Sequence, residues 1–231
     1  MSDGGGFDAM CIGAHPDDVE IGMGATVAKM VREGRKVAIV DLTNGEPTPF
    51  GTPETRARES AEAAAILGAE RVTLTQRNRY LFDTVEARTE LAVVIRRFQP
   101  RILFVPYPDD AHPDHVAASS IAIAARFYAK FTKTEMSGEP HFPERVYRYM
   151  AVHQRIIAEP SFIIDVTETL PVKLDALAAY KSQFAGNPNN VGIVDLMQQT
   201  AAMWGAMGRV GAGEPFFALE PVAIGSIAHL I

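Results

Sequence analysis

The stretch "AMCIGAHPDDVEIG", residues 9–22, runs from five apolar or small residues straight into a histidine, a proline and two consecutive aspartates, with Glu20 two positions further on. A short apolar run bounded by turn residues reads as a strand buried on both faces, the kind found in parallel sheets. Pro16 followed by carboxylates reads as a helix start, where the free amides and the dipole favour negative charge. Strand, acidic turn and helix together make the opening half of a βαβ unit. A solvated acidic turn at a helix start accounts for this stretch by itself, unless a second cluster elsewhere in the chain supplies what this one lacks.

The same alternation continues through the first two thirds of the sequence. Strands are expected at 9–13, 36–42, 71–74 and 102–106, each a short apolar run. The first helix is expected from about Glu20 to Glu33, stopping at Gly34, and the second from Thr52-Pro53, a capping residue followed by proline, to Gly68. Asp83 with Glu86 has the spacing of a capping box, opening a helix that carries Leu91, Val94, Ile95 and Phe98 on one face before Pro100. A fourth helix is expected after His115. Parallel strands need crossover helices, and these are right-handed, so the alternation predicts an α/β fold with a Rossmann-like, doubly wound, mostly parallel sheet. In the common strand order 3-2-1-4 the chain reverses direction between strands 1 and 4, which opens a ligand crevice at their carboxyl ends. The last third is less regular: strands are expected at 145–153, 162–166 and 222–227, helices at 170–182 and 192–207, and a loop at Asn187-Pro188-Asn189-Asn190.

With 231 residues, 47% hydrophobic and 22% charged, the chain is expected to form one domain over 7–231 behind a short flexible tail at 1–6. That tail has neither the basic nor the apolar segment of a secretion signal. No apolar run nears the roughly 20 residues that span a bilayer. A net charge of −6 with scattered basic residues gives no electrostatic case for nucleic acid or an anionic membrane. The single cysteine, Cys11, excludes an internal disulfide and a thiolate metal site; it reads as a small core residue, and a cytoplasmic protein is expected.

The second cluster follows the fourth strand. "YPDDAHPDH", residues 107–115, sets His112 and His115 three residues apart, as His15 and Asp18 are after the first strand, and the topology brings both pairs to one crevice. Imidazole nitrogens and carboxylate oxygens without thiolate suit zinc, whose catalytic sites use three protein ligands and keep one position open. More candidates stand here than a metal needs, so some have other work. A carboxylate beside the metal can accept a proton, and a histidine held by a carboxylate can stabilise charge or protonate a leaving group. Two rival readings stay open. A nucleotide-binding module would use this crevice, but the first turn has no glycine-rich phosphate loop and its carboxylates would repel a pyrophosphate. A non-catalytic metal-binding protein would show the same residues and is separated only by turnover. Trp204 with Met203 and Met207 reads as helix packing, and His141 and His153 as isolated histidines of surface or core.

"AHPDD" at 14–18, "HPDH" at 112–115 and "TNGEPTPFGTPETRARESAEAAAILG" at 43–68 together resemble the zinc-dependent N-acetylglucosaminyl deacetylases, the LmbE-like or PIG-L-like family, over nearly the whole chain. "GTPETR", "YPDDAHPDH", "YKSQF" and "GEPF" are most similar to the bacillithiol-pathway branch. The resemblance implies His15, Asp18 and His115 as zinc ligands and Asp17 as the general base. It implies His112 as oxyanion stabiliser or acid, oriented by Asp114, and Arg56, in an Arg-x-x-Glu pair with Glu59, beside the substrate. Arg56 and Glu59 would equally make a surface ion pair on one helix face. The activity implied is metal-assisted amide hydrolysis with Zn2+ or another divalent first-row metal. Its substrate is a small-molecule N-acetyl sugar conjugate, GlcNAc-malate being the first candidate, and its assembly a homo-oligomer such as a hexamer. Three places depart from that branch: Asn44 stands where an arginine is expected, Gln76-Arg77-Asn78-Arg79-Tyr80-Leu81 where a Leu-Pro-Asp-Gly stretch is, and Ala212-Gly213 where a tyrosine is. All three lie at expected substrate edges.

Overall fold

The computed structural model describes residues 6–153 and 156–226, so residues 1–5 of the expected tail lie outside the described residues. In chain order the elements are β1 (Ala9–Gly13), α1 (Asp18–Arg32), β2 (Val37–Thr43), α2 (Pro53–Leu67), β3 (Glu70–Gln76), α3 (Val85–Phe98), β4 (Ile102–Pro106), α4 (Pro113–Tyr128), β5 (Arg145–Tyr149), β6 (Phe162–Asp165), α5 (Leu170–Ala178), α6 (Ile193–Gly208) and β7 (Gly213–Ala218). The strands form a seven-stranded sheet in the order β3-β2-β1-β4-β5-β7-β6. β1 to β5 run parallel, and β7 is antiparallel to both β5 and β6. The expected Rossmann-like order is present, with β1 beside β4 in the register Ala9↔Ile102 to Cys11↔Phe104. No helix among the described residues is long and apolar enough to cross a membrane.

Because side chains alternate along a strand, each central strand feeds two cores. Met10, Ile12, Val40 and Leu103 pack against Leu91 and Ile95 of α3 and Ile121 of α4. Ala9, Cys11, Ile39 and Phe104 pack on the other face, with Val19 and Val27 of α1, Leu67 of α2 and Leu177 of α5. Cys11 is fully buried and burial pushes its thiol up, in keeping with its core reading.

Several boundaries move for identifiable reasons. α1 starts at Asp18, not Glu20, because the Asp18 carboxylate turns back and accepts the amides of Ala14 and His15, both at 2.9 Å. α4 starts at Pro113, which puts His115 inside its first turn and makes His112 the N-cap. α5 ends at Ala178 and β5 at Tyr149, both short of the expected limits. The Asp83/Glu86 capping box does not form: Thr84 is the N-cap of α3, its hydroxyl accepting the Ala87 amide at 3.2 Å, while Asp83 binds Arg88. Thr84→Ala is therefore expected to cost about 1 kcal/mol, and Asp83→Ala distinctly less; the denaturant midpoints of the two variants check the order.

The last strand is the largest displacement. Residues 222–226 carry no strand and Ile227 lies outside the described residues, whereas Gly213–Ala218 form β7. Pro215 pairs with Ile163 of β6 and lies beyond the part of β7 paired with β5, which begins at Phe216. Glu214 is buried for a separate reason. α1 breaks at Met23 (φ −154°), and Glu214 accepts the freed amides of Ala25 and Thr26 at 3.2 and 2.7 Å while Lys173 balances its charge at 2.6 Å. Gly22, next to that break, must be glycine, since a Cβ there would lie 2.2 Å from the Tyr149 ring.

Candidate active site

The carboxyl ends of β1 and β4 carry the two acidic turns, and the structure brings them together. His15, Asp18 and His115 are all buried, and one ligand atom from each lies within 4.8 Å of the others. The Asp18 Oδ2 atom is occupied by the two backbone amides, which leaves Oδ1 facing His115 Nε2 at 3.2 Å. His15 Nδ1 stands 3.7 Å from Asp18. Each imidazole is held from behind by a different carboxylate: His115 Nδ1 by Asp110 at 2.7 Å, and His15 Nε2 by Asp114 at 3.1 Å. Carboxylate, histidine and an inward nitrogen in sequence is the arrangement by which proteins fix a metal-binding imidazole.

A second grouping, His15, His112 and Asp114, meets the same distance limit. The hydrogen bonds favour the first. The Asp114 carboxylate already accepts the amides of Arg79 at 2.7 Å and Leu81 at 3.3 Å besides His15, and His112 Nδ1 accepts the Asp114 amide at 3.2 Å. Asp18 and His115 also act strongly on one another. Burial opposes charge on Asp18, but His115 and His15 hold its carboxyl well below the usual range. Burial likewise opposes a charged His115, yet Asp18 and Asp110 raise it to about 10. The two nitrogens and one oxygen fit a zinc-type donor set.

Asp17 occupies a left-handed conformation, φ 112°, that few non-glycine residues adopt. Its carboxylate accepts a hydrogen bond from Arg56 Nη2 at 2.9 Å. Burial raises its carboxyl to about 6, with Arg56 pulling the other way and Asp18 adding to the rise. His112 falls to about 4 through burial and the neighbouring His15 and His115. Accepting a hydrogen bond on Nδ1 assigns the His112 proton to Nε2, so the neutral ring is a donor. Asp114 meets His112 through its backbone amide, while its carboxylate serves His15.

The surface-pair alternative for Arg56 and Glu59 is also overturned. Both are buried, and Glu59 accepts the amide and hydroxyl of Ser182 at 2.8 and 2.7 Å, fastening the "YKSQF" loop beside the site. Arg56 stays with Asp17 and Pro16, and its Nε and Nη1 find no partner among the described residues. Glu20 proves to be structural: fully buried, it meets Arg71 at 2.5 Å and Tyr180 at 2.9 Å, and Asp41 takes the other side of that guanidinium.

Two residues were not assigned from sequence. Asp110 stands in the quoted "YPDDAHPDH" but nothing there tells it from Asp109. In the fold it supports His115 through Oδ2, and through Oδ1 accepts the amides of His112 and His153 at 2.9 and 3.0 Å. His153 comes to the site after all, its ring centroid 5.4 Å from His112 and 5.2 Å from His115. His141 does not; its Nε2 binds the Pro100 carbonyl. Asp110→Asn is expected to weaken metal affinity about 10- to 100-fold, the range for such supporting partners, with competition against a chromophoric chelator as the measurement.

His15, Asp17, Asp18, Arg56, His112, His115 and His153 line one cavity of about 1000 Å3. Of the departing positions, Asn78, Arg79 and Gly213 lie on its wall, whereas Gln76 is tied to Glu90 and Asn44 caps the Glu46 amide.

Residues 10–126 match the model of the family described as PIG-L, GlcNAc-PI de-N-acetylase. The chain is 30% identical over 194 residues to diacetylchitobiose deacetylase of Thermococcus kodakarensis, covering 76% of this chain and 69% of the relative. Its structure is similar to that of a conserved protein from Thermus thermophilus, with a TM-score of 0.86 and 37% identity over 94% of this chain and 97% of the other. It is also similar to N,N'-diacetylchitobiose deacetylase from Pyrococcus horikoshii, with a TM-score of 0.79 and 26% identity over 91% of this chain and 83% of the other. With the paired acid and histidine turns meeting at one crevice of this sheet, the chain belongs to the GlcNAc-PI de-N-acetylase (PIG-L) family and is a hydrolytic N-deacetylase for GlcNAc-type substrates.

Proposed function

We propose that this protein is a zinc-dependent hydrolase that removes the N-acetyl group from a GlcNAc conjugate. The observation that carries the reading is the pair of inward ring nitrogens on His15 and His115, each backed by its own carboxylate and both facing Asp18. A divalent ion held by these three residues supplies acidified water and a polarised acetamide carbonyl. Asp17, beside them but bound to Arg56 instead, accepts the proton of the attacking water. The His112 Nε2–H is a neutral donor for the oxygen that becomes negative as the carbonyl turns tetrahedral. The proton collected by Asp17 then passes to the departing amine, and the products are acetate and a free glucosamine conjugate. Arg56 holds the base in line on the wall of the same cavity, beside the substrate.

The non-catalytic alternatives receive no support from the two diacetylchitobiose deacetylases to which the chain is similar. The test is amine release from N-acetylglucosamine conjugates, the malate conjugate of the bacillithiol pathway among them, before and after chelation. Activity is expected to vanish with chelator and return with Zn2+, or in part with another divalent first-row ion. Full turnover by metal-free protein would end this reading.

A further inference from the structure

The cavity is much larger than its catalytic corner, and its far wall has a different chemistry. Ile193, Leu196, Thr200, Met203 and Trp204 of α6 all line it, at intervals of three, four, three and one, so one stripe of this helix faces the cavity along its length. Helix packing explains only part of that stripe. Trp204 is buried at 3% exposure, but Leu196 and Met203 remain 40% and 42% exposed, and Ile157 on the loop after β5, at 76%, lines the same space.

Charge separates the two ends. On the α6 side the charged groups of the lining are Lys173 and Glu214, which neutralise each other at 2.6 Å. The guanidinium of Arg56 belongs to the catalytic end through its bond to Asp17, and Arg79, whose backbone amide binds Asp114, stands at that same end with its side chain exposed on the lining. Among the described residues the α6 wall therefore offers no free cation for a carboxylate or phosphate. A volume of about 1000 Å3 stands at the upper end of small-molecule sites, and an acetamido sugar alone fills a fraction of it.

We propose that the cavity-facing stripe of α6, centred on Leu196 and Met203, is the subsite for an apolar, uncharged aglycone of the N-acetyl sugar substrate. This rests on the deacetylase reading, and it points away from the dicarboxylate conjugate that the sequence motifs put first. The occupant is a part of the substrate because the stripe is continuous, within one cavity, with His15, Asp17 and Asp18.

The experiment compares methyl, hexyl and 5-carboxypentyl N-acetyl-β-glucosaminides with the zinc-loaded full chain, by kcat/KM and by calorimetric binding. Each methylene that becomes buried is worth about fourfold, so the hexyl compound is expected to exceed the methyl one by about tenfold or more. The carboxypentyl compound is expected to fall back toward the methyl value. Leu196→Asp and Met203→Gln should each lower the hexyl-to-methyl ratio by roughly the same factor, while Leu196→Met retains it. Equal values for hexyl and methyl, or a preference for the carboxylate, overturn the proposal. Should no N-acetyl compound be cleaved, the deacetylase reading falls separately, and the binding ratio still decides: a hexyl preference lost in Leu196→Asp supports the subsite, and no preference overturns it. A concentration-dependent oligomer dispersed by Leu196→Asp, with the substrate ratio unchanged, assigns the stripe to a second copy of the chain and also overturns it.

Discussion

Asp18→Asn is expected to strip the site of metal, lowering zinc affinity by more than about 100-fold and taking the activity with it. The reason lies in the two jobs of one carboxylate. Asp18 Oδ2 accepts the Ala14 and His15 amides, and Oδ1 faces His115 Nε2. An asparagine has one oxygen for these two duties. If that oxygen keeps the backbone amides, the NH2 group is turned on the place a cation would occupy; if it turns inward, two buried amides lose their acceptor and the NH2 confronts them donor to donor. Either way the variant forfeits an anionic ligand at the point where His15 and His115 converge. His115→Ala should behave alike, since it removes a ligand and leaves Asp110 without the imidazole it supports. Zinc per chain, measured beside turnover on the same preparation, checks both. A variant with full zinc and full rate would show that Asp18 is no ligand.

How far the sequence carries toward such a prediction differs between the fold and the site. The parallel half was legible because its central strands β1, β2 and β4 are short apolar runs and the crossover helices have local punctuation, as at Thr52-Pro53 and Gly68. The antiparallel end was not, because β7 is held by neighbours and not by its own pattern. Gly213-Glu214-Pro215 has the composition of a turn, and only the partners from β5 and β6, with the broken helix that Glu214 caps, make it a strand. The site shows the same division. His15, Asp17, Asp18, His112 and His115 stand in two dense motifs whose convergence follows from strand order. The supporting carboxylates could not be assigned: the hydrogen bond between Asp114 and His15 spans 99 residues of sequence, and Asp110, close to His115, has Asp109 as an equal beside it. His153 is the plainest case: nothing near it in sequence suggests chemistry, and it reaches the site because β5 lies beside β4.

Asp17→Asn should give the opposite pattern to its neighbour: zinc retained, with turnover lower by roughly 10²- to 10⁴-fold, the span for removal of a general base. Retention of metal is expected because Asp17 is not one of the His15, Asp18 and His115 group, and its carboxylate is bound to Arg56 beside them. The asparagine oxygen can still accept that hydrogen bond. The strained φ of 112° is also less costly for asparagine than for most residues, so the turn should survive the change. What is lost is the proton acceptor. Burial brings the Asp17 carboxyl up to about 6 while Arg56 restrains the rise, which leaves it ionised at neutral pH yet more basic than an exposed aspartate. An amide has no such basicity at any accessible pH. His112→Ala should resemble Asp17→Asn, because it removes a neutral Nε2–H donor and no metal ligand. The four variants thus sort into two pairs on a plot of zinc content against rate. If Asp17→Asn lost its metal while Asp18→Asn kept both metal and rate, the roles of the two aspartates would have to be exchanged.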